Sequence, residues 1–167
     1  MLIFVLMLVC QALIWNYADF SQYLTLCFLP AMILWMPVER NTLYAMIVAF
    51  LSGFAVDFFA GGMLGLSSLA LVPVALLRRP IIILVFGSEV ISRGDNLSSA
   101  RHGLGKMALA VLLCSLLFFV IYVWADGAGT RPFGFNVLRV AISLAASVPV
   151  SLLLEGLFSY ESGSVWR

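Results

Sequence analysis

Residues Gly53 to Gly65 read GFAVDFFAGGMLG. One carboxylate, Asp57, stands in a run that is otherwise apolar or glycine, and two adjacent glycines then interrupt the run. Upstream, Ala45, Ala49, Gly53 and Asp57 are each four residues apart, and Gly61 and Gly65 continue the same count. A spacing of four keeps side chains on one helical face. Small residues on that face let a second backbone come close, which is how helices associate in lipid without a hydrophobic drive. The pattern predicts a helix over 42–60 that packs against its neighbours. Gly61, Gly62 and Gly65 then turn the chain sharply into the next helix.

The rest of the chain explains why lipid is the relevant solvent. Its 167 residues are 63% hydrophobic and only 10% charged, against roughly 45–50% apolar in ordinary soluble domains. The mean hydropathy is +1.12. A soluble globule of this size could not hide so much apolar surface. The net charge of +1 comes with no basic cluster interleaved with aromatics, so nucleic acid is not an expected partner. Cys10, Cys27 and Cys114 all lie in apolar runs without CxxC spacing, and read as small buried hydrophobes. No metal or cofactor is expected. The N-terminal run MLIFVLMLVCQALIWN has no basic n-region or small-residue cleavage site. It reads as a retained membrane helix.

Six apolar stretches run at about 2–15, 20–36, 42–60, 63–77, 104–125 and 136–158, within a single multi-helix transmembrane domain, 1–167. A crossing helix needs about 20 residues. The third, fifth and sixth stretches meet that length, whereas the others are short. Pro30, Pro73 and Pro149 fall inside helices two, four and six, as neighbouring groups permit in membranes. Six crossings put both termini on one face. That face collects Arg40, Arg78, Arg79, Arg93, Arg101, Lys106 and Arg167, and the other only Arg131 and Arg139. By the positive-inside rule both termini are expected in the cytoplasm.

The Arg78-Arg79-Pro80 triplet bears on where helix four stops. Two arginines at mid-bilayer would each cost about 2.5–3.5 kcal/mol. The expectation is therefore a helix ending near Leu77, both arginines in the cytoplasmic headgroups, and Pro80 opening a new direction. The pair then anchors the topology or contacts anionic lipid.

Asp57 is badly placed for its own helix, because the last turn is the negative end of the dipole. Accepting amides at the start of helix four would make it an N-cap in reverse, a clip joining helices three and four. The alternative is a proton relay or ligand contact, since intramembrane ionisable residues are functional candidates. Helix six repeats the spacing with Ser143, Ser147, Ser151 and Glu155. Its serines are expected to bond across helices, and Glu155 either meets Arg78 or Arg79 or snorkels to water.

Gly53, Asp57, Gly61 or Gly62, Gly65 and Leu66, followed by Arg79-Pro80, resemble the corresponding segment of the rod-shape-determining MreD family, over Leu51 to Phe86. The other helices fit that family in number, length and polarity. The resemblance implies an all-α integral membrane protein of about six transmembrane helices, similar to the S-component fold of energy-coupling-factor transporters. It implies a non-enzymatic scaffold of the bacterial cell-elongation complex in the inner membrane. Such a scaffold binds MreC directly, in one assembly with MreB, the RodA glycosyltransferase and a class B penicillin-binding transpeptidase, and supports lateral peptidoglycan synthesis and cell shape. The alternative it carries is an S-component-like small-molecule binder docked on a transporter module. The outer aromatics, Trp15 and Tyr122 among them, keep that open, although Trp and Tyr belts are ordinary at interfaces. An intramembrane enzyme would need a nucleophile with a base. The one histidine, His102, lies in a polar segment away from any GxSxG setting.

Overall fold

The computed structural model describes residues 2–17, 25–37, 41–60, 63–93, 103–127 and 132–162. These residues form helices without strands: α1 (Leu2–Tyr17), α2 (Leu29–Leu34), α3 (Thr42–Ala60), α4 (Leu66–Phe86), α5 (Ser88–Arg93), α6 (Leu104–Gly127) and α7 (Phe133–Ser162). Four are long and apolar enough to cross a membrane: α3, α4, α6 and α7. The apolar part of α1 is shorter.

The helices pack in the order α1, α3, α4, α6, α7, each against the next, and α2 touches α1, α3, α4 and α6. The shortest of these six therefore lies in the middle, with all six of its residues buried. Pro30 stands in its first turn, where a missing amide costs nothing. Its end tightens, with Met36 donating to the Ile33 carbonyl at 3.4 Å, and Pro37 prevents further helix.

Two helix boundaries differ from expectation. The second stretch, expected as helix over 20–36, is helical only over Leu29–Leu34 among its described residues, and Thr25–Phe28 are irregular. Helix four does not end near Leu77. It runs unbroken through Arg78, Arg79 and Pro80 to Phe86, where Gly87 closes it at φ 90°. The expected break rested on the cost of arginine in lipid, but Arg78 never meets lipid. It is 5% exposed, and its guanidinium turns inward to α2. Arg79 and Pro80 lie on the exposed side of the same helix. Cys10 also departs from expectation, being exposed, while Cys27 and Cys114 are buried.

Candidate functional site

The small-residue face of α3 is buried at Ala45, Ala49, Gly53 and Asp57. At Gly53 the first turn of α4 lies directly on the α3 backbone. A Cβ there would sit 2.6 Å from the Ser68 nitrogen, 2.7 Å from its Cα and 2.9 Å from the Ser67 carbonyl carbon. Only glycine permits that approach. Ser68 Oγ donates to the Phe50 carbonyl at 2.9 Å, which ties the same crossing from the other helix. One turn further along α3, Asp57 Oδ2 accepts the Gly65 and Ser67 amides, both at 2.9 Å. These are amides that a helix start leaves without intrahelical partners. Gly65 stands at φ 92° as the residue before α4. Gly61 and Gly62 lie outside the described residues.

The second constellation surrounds the irregular segment before α2. A buried backbone without helix or sheet must find its partners elsewhere, and inside a membrane protein it persists only where protein or water supplies them. Here side chains of α1 and α7 do so. Ser143 Oγ accepts the Thr25 amide at 3.0 Å, and Ser147 Oγ accepts the Cys27 amide at 3.1 Å. Gln11 accepts the Phe28 amide through Oε1 at 3.0 Å and donates through Nε2 to the Leu26 carbonyl at 3.1 Å. Trp15 Nε1 donates to the same carbonyl at 2.7 Å. At the far end Arg78 takes over. Its Nε and Nη2 donate to the Leu34 carbonyl at 3.4 and 3.2 Å, and Nη2 also donates to the Met36 carbonyl. Carbonyls at a helix C-terminus carry the negative end of the dipole, so a cation suits them.

A third cluster joins α6, α7 and the same segment. Arg139 Nη1 pairs with Asp126 Oδ2 at 2.5 Å, and Nη2 donates to Thr25 Oγ1 at 3.3 Å. Beside it the Trp15 and Tyr122 rings lie 5.6 Å apart.

The structure thus brings Gly53, Asp57 and Gly65 together at the α3–α4 crossing and sends Arg78 to α2. The hydrogen bonds of Arg78 go to the carbonyls of Leu34, the last residue of α2, and of Met36 just beyond it, not to Glu155. Glu155 is buried, at 5% exposure, so it does not snorkel to water. In the serine row of α7, Ser143 and Ser147 bond to irregular backbone instead of to another helix, and the Ser151 hydroxyl is buried without a hydrogen bond. Gln11, Thr25, Asp126 and Arg139 were not legible as site residues. Only Gln11 left a signal, as the one amide inside the apolar first stretch before Asn16. Among the described residues no group of three His, Cys, Asp or Glu side chains could hold a metal ion. No protein-family model, no curated protein and no solved structure matches this chain.

Proposed function

We propose that this chain is a non-enzymatic membrane scaffold of the MreD kind. It crosses the bacterial cytoplasmic membrane six times with both termini in the cytoplasm, in a fold similar to transporter S components. It binds MreC and belongs to one assembly with MreB, RodA and the class B transpeptidase. The observation that carries this reading is the α3–α4 crossing, built from the residues that bear the resemblance: Gly53 under the Ser67–Ser68 backbone, and Asp57 on the Gly65 and Ser67 amides. Both oxygen-to-amide contacts use the carboxylate to fix two helices in register, which is work a rigid platform needs. The buried polar groups around Thr25–Phe28 act in the same sense, holding backbone in place.

The second reading, a small-molecule binder on a transporter module, is favoured by one observation. Arg139, Asp126 and Thr25 form a polar cluster beside the Trp15–Tyr122 pair, and polar groups set against aromatics suit a ligand pocket. Affinity purification from membranes in mild detergent separates the two. Co-isolation of MreC with wall-synthesis enzymes supports the scaffold. Co-isolation of an ATP-driven module with no wall enzyme overturns it in favour of the binder.

A further inference from the structure

Arg79 is an exposed cation in apolar surroundings. α4 runs unbroken over Leu66–Phe86, about 30 Å at about 1.5 Å per residue, which matches the roughly 30 Å core of a bilayer. Along that rise Arg79 lies about 20 Å from Leu66 and about 10 Å from Phe86. It is exposed, as is Pro80 beside it. The exposed side chains before it are Leu76 and Leu77, and those after it Ile83 and Leu84. Leu84, more than a turn nearer the helix end, is 77% exposed, so the hydrocarbon covering this face reaches past Arg79. Arg78 escapes the same surroundings by turning inward to the Leu34 and Met36 carbonyls. Arg79 makes no hydrogen bond or ion pair with another described residue. Its route to the headgroups at the Phe86 end is unfavourable. Cα–Cβ bonds tilt toward a helix's N-terminus, here Leu66, so a side chain at 79 covers the turn before it, deeper in the bilayer.

We propose that the α4 face around Arg79 docks a transmembrane helix of a different chain, one that carries an Asp or Glu about 10 Å inside the end of its apolar span. Charge complementarity selects that occupant. Ionisable groups within a membrane pair with one another, and a carboxylate at that depth can take both arms of the guanidinium fork. Leu76, Leu77, Ile83 and Leu84 then pack on the apolar residues either side of the pair. A second copy of this chain offers no such group. Within the four candidate spans the carboxyls are Asp57, held by the Gly65 and Ser67 amides, Asp126, paired with Arg139, and Glu155, which is buried. The proposal rests on α4 crossing the membrane and not on the scaffold reading.

The test measures Förster transfer in phosphatidylcholine vesicles between the full chain, labelled after Arg167, and a labelled leucine-rich transmembrane peptide. The peptide carries one Glu about 10 Å from the end of its apolar span, and its control carries Leu at that position. The Glu peptide is expected to bind about tenfold more tightly than the control. Arg79→Gln is expected to abolish that preference without loss of folding, and Arg79→Lys to retain part of it. Equal binding of the two peptides overturns the proposal, and so does a preference that survives Arg79→Gln. A preference that disappears when the vesicles are made of phosphatidylglycerol assigns Arg79 to lipid phosphate and overturns it as well.

Discussion

Asp57 and Ser67 stand on opposite sides of a glycine turn, and a single carboxylate oxygen, Asp57 Oδ2, takes the Ser67 amide at 2.9 Å while also taking that of Gly65 at 2.9 Å. Asparagine keeps an acceptor oxygen and loses the charge, so Asp57→Asn is expected to be mild. Asp57→Leu removes the acceptor and strands two amides in a poorly hydrated site, a loss of about 1–3 kcal/mol. Membrane expression and thermal unfolding of the two variants side by side give the comparison. A proton relay orders them differently, since neither residue titrates. Equal loss of function with full expression of both would therefore refute the clip.

Gly53 tests the crossing itself. Its missing Cβ would fall 2.6 Å from backbone nitrogen of Ser68, and backbone at the start of a helix cannot move aside cheaply. Gly53→Ala is expected to destabilise by about 1–3 kcal/mol, the usual cost of overpacking. Gly134→Ala, where nothing lies within 4 Å of the added carbon, is expected to be neutral. Melting temperatures in detergent decide it, and an unchanged value for Gly53→Ala contradicts the packing described.

The α3–α4 crossing was legible in sequence because its determinants are local. A four-residue spacing of small side chains, a lone carboxylate and a glycine turn lie within about 25 residues of chain, and helical periodicity converts that spacing directly into a face. The course of α4 was not legible. Its continuation past Leu77 depends on Arg78 reaching carbonyls at Leu34 and Met36, more than 40 positions away, and no periodicity announces which acceptor a guanidinium will find. The serine row of α7 lies between these cases. Its buried face could be read from the spacing of Ser143, Ser147 and Ser151, but its partners are amides 118 and 120 positions distant. Those amides are free because Thr25–Phe28 are not helical, and an apolar run with one proline does not reveal that.

Arg78 and Arg79 are expected to differ sharply. Arg78→Met leaves the Leu34 and Met36 carbonyls without their cation, with a loss of about 1–3 kcal/mol for stranded acceptors. Arg78→Lys retains the charge on a single ammonium at the end of a flexible stem but not the rigid fork that serves two carbonyls, and falls between. Arg79→Gln, on the exposed face, is expected to leave the melting temperature unchanged. Equal effects of Arg78→Met and Arg79→Gln would count against the inward guanidinium.

Gln11 and the serines of α7 hold the same four-residue segment with different leverage. Gln11 serves both a donor and an acceptor, the Phe28 amide and the Leu26 carbonyl, whereas Ser143 and Ser147 each serve one amide. Single polar contacts between membrane helices average about 0.6 kcal/mol, so Ser143→Ala and Ser147→Ala are each expected to cost about that. Gln11→Leu is isosteric enough to preserve packing yet strands both backbone groups, and is expected to cost about 1–3 kcal/mol. Trp15 still bonds to Leu26 in that variant, which places the loss mainly at Phe28. Amide exchange resolved by mass spectrometry reads this at the segment: Gln11→Leu is expected to speed exchange of Phe28 well beyond either serine variant. Equal protection in all three would show that apolar burial alone holds the segment in place.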